Sequence, residues 1–183
     1  MSQLAPVIVI DLQTGMFDGL AEPPLANADQ VVAQARAVID WARRTGRPLA
    51  FVRHDGPPGD SLAPGAAGWP VWPALGQADA EPTFGKTIGD AFSNPDLAAW
   101  VDAAGAGEVV LLGAQSEMCV ADTTRGALGR GLKVTVIGDA HGTWPSGGVT
   151  ADEIIARENA TFAAAGAQVV TTAALTGDQV RAR

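Results

Sequence analysis

Glu108-Val109-Val110-Leu111-Leu112-Gly113-Ala114-Gln115-Ser116-Glu117-Met118-Cys119-Val120 holds the pattern on which the architecture turns. After Glu108, the apolar run Val109 to Leu112 suits a strand covered on both faces, and the strand is read over Glu108 to Leu112. Gly113 permits a tight turn, Ser116 is a fitting helix cap, and a helical reading runs from Glu117 to Arg130. A strand that turns sharply into a helix is the unit from which parallel sheets are built.

Working outward, the same unit recurs. Val7-Ile8-Val9-Ile10 is a second buried-type strand. From Asn27 to Thr45 the apolar residues Val31, Val32, Ala35, Val38, Ile39 and Ala42 follow helical spacing, with Asn27 as the expected N-cap and Gly46 just past the end. Pro48 to Val52 reads as a strand, Phe84 to Thr87 as a short one, Leu97 to Ala104 as a helix and Lys133 to Ile137 as a strand. Ala151 to Ala165 reads as a helix and Ala167 to Val170 as the closing strand. Between His54 and Thr83 lies a Gly- and Pro-rich loop carrying Trp69 and Trp72; a loop of that length in a compact domain usually serves function. The alternation predicts an α/β fold: a three-layer, doubly wound domain spanning residues 1–183, with a mostly parallel sheet of about six strands.

Composition narrows the functional classes. The 183 residues carry a net charge of −8, which disfavours nucleic acid and anionic membrane, since both need clustered Lys and Arg. No apolar run approaches a membrane span, and the N-terminus has no basic leader region. The single cysteine permits no internal disulfide, so a reducing, cytoplasmic location is expected. An apolar rim on a small α/β domain suggests a homodimer or higher assembly.

In doubly wound folds the site lies beyond the carboxyl ends of the strands. That rule selects Asp11 after the first strand, His54 and Asp55 after the second, Gly113 to Cys119 after Leu112, and Asp139 after Ile137. Cys119 would sit in the first turn of a helix, where free N–H groups and the dipole lower a thiol pKa and can hold an oxyanion. The plain alternative is a small buried hydrophobe. Asp11 suits a general base near the thiol, or equally a turn-forming residue. Lys86, in Phe-Gly-Lys-Thr, reads alone as a solvated lysine. Trp69 either covers a pocket or pins its loop to the core; Asp139 reads as a turn residue.

Together these segments resemble the isochorismatase-like cysteine hydrolases, which include nicotinamidases and N-carbamoylsarcosine amidohydrolases. The resemblance rests on residues 7–13, on 81–86 with Asp90-Ala91-Phe92, on 113–120 with Thr123-Thr124-Arg125, and on Gly138-Asp139-Ala140 and the surroundings of Asn159. It implies a catalytic triad of Asp11, Lys86 and Cys119, in which Asp11 takes the thiol proton, Lys86 steadies both charges and Cys119 attacks a carbonyl to form an acyl-enzyme. It also implies a cis peptide between Ala114 and Gln115, with the Gln115 and Cys119 N–H groups serving the oxyanion. Met16, Phe17, His54 and Trp69 are the expected substrate pocket, with Met16 standing where many relatives place Phe; Gln13 and Ser116 would support the site from behind. Metal-dependent nicotinamidases carry Asp-x-His and a further His beyond the second strand. Here the segment is Arg53-His54-Asp55-Gly56 and the other histidine is His141, so neither metal nor cofactor is expected. The expected activity is hydrolysis of a small-molecule C–N amide. Vinyl-ether hydrolysis and a non-catalytic, redox-sensing thiol are the alternatives.

Overall fold

The computed structural model describes residues 3–177. In chain order the regular elements are β1 (Val7–Ile10), α1 (Ala28–Arg44), β2 (Leu49–His54), β3 (Thr83–Lys86), α2 (Pro95–Ala104), β4 (Glu108–Ala114), α3 (Ala121–Gly129), β5 (Lys133–Gly142), α4 (Ala151–Ala164), β6 (Gln168–Val170) and α5 (Thr172–Thr176). The six strands form one sheet in the order β3-β2-β1-β4-β5-β6, and every neighbouring pair is parallel. The chain winds one way from β1 to β3 and the other way from β4 to β6. The switch point is therefore the crevice between β1 and β4, where doubly wound folds place their sites.

The unbroken apolar runs of β1 and β4 are explained by the two layers they face. Val7 and Val9 enter the cluster formed with Val31, Ala35, Val38 and Ile39 of α1, while Ile8 and Ile10 enter the one formed with Leu97 of α2, Ala121 and Ala127 of α3 and Phe162 of α4. Residues two apart share a face, so a strand covered on both sides must be apolar at every position. Burying a side chain of Val or Ile size contributes about 1.5–3 kcal/mol, which makes these strands the fixed frame of the site.

Helix ends follow local chemistry. Thr150 and Glu153 form a reciprocal capping box at the start of α4. Asn94 caps α2, with Pro95 in its first turn. At the end of α1, Gly46 adopts φ +69° while its N–H bonds Arg43 O and the Arg47 N–H reaches Ala42 O, the paired arrangement that satisfies the last carbonyls.

Four details differ from the sequence expectation. Asn27 makes no capping bond; its Nδ2 donates to His141 O at 3.3 Å, because the end of β5 lies alongside it. β5 continues five residues past Ile137: a register shift after Leu111 lets His141 and Gly142 pair with Gly113 and Ala114. The expected helix from Glu117 opens instead as a π-helical turn over Ser116–Val120, and α3 begins at Ala121. The short helix α5 follows β6 without a clear periodic signal; Asp139, which lies on β5 and not in a turn, accepts bonds from the N–H and hydroxyl of Thr172 at its start. No helix among the described residues is long and apolar enough to cross a membrane.

Candidate active site

Three strand ends and one turn converge at the switch point. Asp11 leaves β1 in a left-handed conformation, φ +51°, which Asp tolerates better than most residues. Its carboxylate is fully buried. Lys86 ends β3, two residues beyond Phe84 and on the same face, and is itself 3% exposed. β4 delivers the chain into the π-helical turn. Gly113 is required there: a Cβ would come within 2.0 Å of the Ile10 carbonyl oxygen. The Ala114–Gln115 peptide that follows is cis. Cys119 occupies the fourth position of the turn and packs against the cluster on the α2–α4 face.

Lys86 bridges the other two residues. Its Nζ donates to Asp11 Oδ2 at 2.7 Å and to Cys119 Sγ at 3.3 Å, across separations of 75 and 33 residues. Asp11 Oδ1 is buried with no hydrogen-bond partner among the described residues. A buried carboxylate is tolerable only when paired, and the Lys86 ammonium is that pair. Burial pushes the Asp11 carboxyl up from its ordinary value, against the opposing pull of Lys86. Burial also pushes the Cys119 thiol up, to about 12, with Asp11 adding to the rise and Lys86 opposing it. This corrects the expectation of a depressed thiol pKa. The desolvation of the sulfur comes first and the negative charge of Asp11 beside it adds to the rise. At neutral pH the proton rests on sulfur, next to a carboxylate made a stronger base by its surroundings.

His54, at the end of β2, is the fourth member. One of its ring nitrogens, a carboxylate oxygen of Asp11 and Cys119 Sγ all lie within 4.8 Å of one another. Gln13 fixes its backbone: the Gln13 carbonyl accepts the His54 N–H at 2.8 Å, and Gln13 Nε2 donates to His54 O at 3.1 Å and to Trp69 O at 2.9 Å. The fully buried Gln13 thus ties β1, β2 and the long loop together. Trp69 is pinned further by its indole N–H, which donates to Asp55 Oδ1 at 2.7 Å, and by the Arg53 guanidinium stacked 3.7 Å from its ring. Asp11, His54 and Cys119 are metal-ligating types in proximity, but the Lys86 ammonium already contacts two of them. A divalent cation there would meet a buried positive charge, so the donor set does not suit a resident metal.

Met16 and Phe17 lie on the other side of the sheet from Cys119. Both are buried in the α1-side cluster, and Phe17 stacks on Trp72 at 5.3 Å. Ser116 is no helix cap; its hydroxyl lies 2.8 Å from His141 Nδ1. His141, which sequence reasoning left without a role, is fully buried between Ser116 and Asn159 Oδ1, the latter 2.9 Å from Nε2. Asn159 Nδ2 donates to Gly138 O, so Asn159 Oδ1 accepts from His141 Nε2–H and the Ser116 hydroxyl donates to Nδ1. The one sequence signal for this relay is a histidine two residues after Asp139, just past the largely apolar run Val134 to Ile137.

The family model for the isochorismatase domain matches residues 5–174. This chain belongs to the isochorismatase family. Its curated relatives include streptothricin hydrolases of Streptomyces noursei, one of them 36% identical over 138 residues, covering 75% of this chain and 49% of the relative. The chain thus spans about half the length of those relatives. The isochorismatase family protein YwoC of Bacillus subtilis is 30% identical over 156 residues, 78% of this chain and 79% of the relative. Among solved structures, an isochorismatase from Pseudomonas putida superimposes with TM-score 0.84 at 30% identity, covering 93% of this chain and 89% of the other. A cysteine hydrolase from Pseudomonas syringae shares the fold with TM-score 0.87 at 21% identity, covering 97% and 92%. The isochorismatase fold thus accounts for the six-stranded parallel sheet and its helical layers.

Proposed function

We propose that this family member is a cysteine hydrolase that cleaves a C–N amide bond of a small molecule through an acyl-thioenzyme. The observation that carries the reading is the buried bridge of Lys86 Nζ to both Asp11 Oδ2 and Cys119 Sγ. A thiol held near pKa 12 needs a base at the moment of attack, and Asp11, raised in pKa and less than 5 Å away, is placed to be it.

In this mechanism Asp11 takes the proton from Cys119 as sulfur adds to the amide carbonyl carbon. Lys86 offsets the charge passing between carboxylate and sulfur. The N–H groups of Gln115 and Cys119 are assigned to the oxyanion. Asp11 then returns the proton to the amide nitrogen, the C–N bond breaks and the amine leaves, with the acyl group on Cys119. Water hydrolyses the thioester and releases the carboxylic acid. A redox-sensing thiol fits poorly, because sensor cysteines are exposed and low in pKa, whereas this one is only partly exposed and raised.

The test is a panel of small amides, streptothricin among them, followed by release of ammonia or amine. The reading requires activity that Cys119→Ser abolishes and that alkylation of this single cysteine by iodoacetamide blocks. Fully alkylated protein that keeps its rate would exclude covalent catalysis and leave Asp11-centred vinyl-ether hydrolysis as the better account.

A further inference from the structure

His54 has an environment that the scheme above does not use. Its Nδ1 is buried and meets no hydrogen-bond partner among the described residues. Buried polar atoms are almost always paired, and the exceptions mark functional sites more often than defects. The position is not slack: Gln13 holds both the N–H and the C=O of His54, so the ring is carried on a fixed backbone. The register of the sheet sets His54 opposite Lys86 on the neighbouring strand. The ionisable groups around it are therefore Asp11, Lys86 and Cys119, with Asp55 next in the chain, while Arg53 is stacked on Trp69.

An amide hydrolase with a covalent intermediate must move protons twice. In the first half Asp11 moves the thiol proton to the departing amine and ends as it began. In the second half a water must lose a proton while adding to the thioester, and sulfur must regain one. Asp11 serves the first half, with Oδ2 held by the Lys86 ammonium. The imidazole of His54, with Nδ1 left unpaired, is a second base available to the water.

Resting on the acyl-thioenzyme reading, we propose that His54 is the catalytic base of deacylation. Its ring nitrogen takes a proton from the attacking water as the water oxygen bonds to the thioester carbonyl carbon. The tetrahedral intermediate collapses, the C–S bond breaks, and the proton on His54 passes to Cys119 sulfur. One water is consumed, the carboxylic acid leaves, and the thiol is restored. No oxidant or metal enters the balance.

The activated ester p-nitrophenyl acetate separates the two halves without knowledge of the natural amide. Nitrophenolate release reports acylation, and loss of the acetyl adduct on Cys119, followed by mass spectrometry, reports deacylation. In His54→Ala the expected result is a burst of about one nitrophenolate per chain, a steady rate lowered about 100-fold and an accumulated acetyl-enzyme. Added imidazole should restore the slow phase and leave the burst unchanged, which a merely structural histidine would not do. His54→Asn, with melting temperature and circular dichroism measured alongside, repeats the test if the alanine variant is poorly folded. Equal loss in both phases with no adduct, or an unchanged steady rate, overturns the proposal. Turnover surviving in Cys119→Ser overturns the acyl-thioenzyme reading itself, and with it the role of His54; turnover that requires Cys119 but shows no adduct in the His54 variants overturns only the latter.

Discussion

The chain has two histidines, and both stand at the carboxyl ends of parallel strands, His54 on β2 and His141 on β5. Their environments are opposite. Both ring nitrogens of His141 are hydrogen-bonded, to Ser116 and Asn159, inside a fully buried relay. His54 keeps Nδ1 without a partner and lies beside the Asp11–Lys86–Cys119 cluster. A satisfied buried polar group specifies structure, because every atom of the network fixes another. An unsatisfied one beside a nucleophile is available to a substrate or a water. On the reading proposed above, two residues of one type, at equivalent ends of one sheet, divide architecture from chemistry.

The strongest way to break this division is through the proposed triad. Asp11→Asn removes the proposed base but keeps the shape, and turnover of p-nitrophenyl acetate should fall on the order of 10³-fold or more. His141→Leu should change the same rate by less than about tenfold. A loss in His141→Leu comparable to that in Asp11→Asn would mean that the relay, too, belongs to the chemistry.

The next effect is on stability and concerns the buried ion pair. Lys86→Met leaves the Asp11 carboxylate buried without its partner, which typically costs about 3–5 kcal/mol. Urea unfolding should show that loss, unless Asp11 escapes it by taking up a proton. The double variant Lys86→Met with Asp11→Asn should recover much of it, since no unpaired charge is then buried. Failure to recover would mean that Lys86 supports the fold by packing alone.

Much of this was legible in the sequence, and the rest was not for physical reasons. The runs 7–10 and 109–112 announced covered strands because a residue facing either helical layer must be apolar. Asp11 and Cys119 stand out at the ends of their strands, whereas Lys86 enters only through the family resemblance, since taken alone it reads as a surface lysine. Nothing local says that β3 pairs with β2 and aims the side chain inward. Ser116 and Asn27 were expected to cap helices because their side chains suit it. Both instead bond to the end of β5, a partner that exists only once the sheet is assembled. The thiol's high pKa has the same origin: it depends on burial and on Asp11, neither visible in the stretch 113–120. The contrast between the two histidines is likewise a property of long-range packing.

A smaller effect follows from His141 itself. Replacing it by leucine strands Ser116 Oγ and Asn159 Oδ1, at about 1–3 kcal/mol for each buried group left without a partner. Denaturant unfolding of His141→Leu should therefore show a clear loss, while His54→Ala should lose little, because the bonds of its backbone to Gln13 do not involve the ring. The reverse order would overturn the assignment of one histidine to structure and the other to chemistry.

The smallest effect is the dependence of stability on pH, and it sharpens the comparison most directly. Burial holds His141 below its ordinary pKa, outweighing the bond to Asn159 and the carboxylates nearby. The folded state therefore keeps the ring neutral at a pH where the unfolded chain, with an ordinary value near 6.5, takes up a proton. Below that value the unfolded state binds more protons, so stability falls as pH falls. The contribution of neutral His141 is complete above about pH 6.5 and declines beneath it, by at most about 1.4 kcal/mol per pH unit, until the folded pKa is reached. Carboxylates whose pKa values are lowered by folding, such as Glu81, lose their contribution only near their ordinary range, further into acid. Asp11, raised by burial, acts in the opposite sense, since its protonated form is favoured in the folded state. Subtracting the pH profile of His141→Leu from that of the wild type removes these shared terms. The difference between pH 7 and 5.5 should be positive. A flat difference would mean that His141 titrates alike in both states, against the burial that favours its neutral form in the fold.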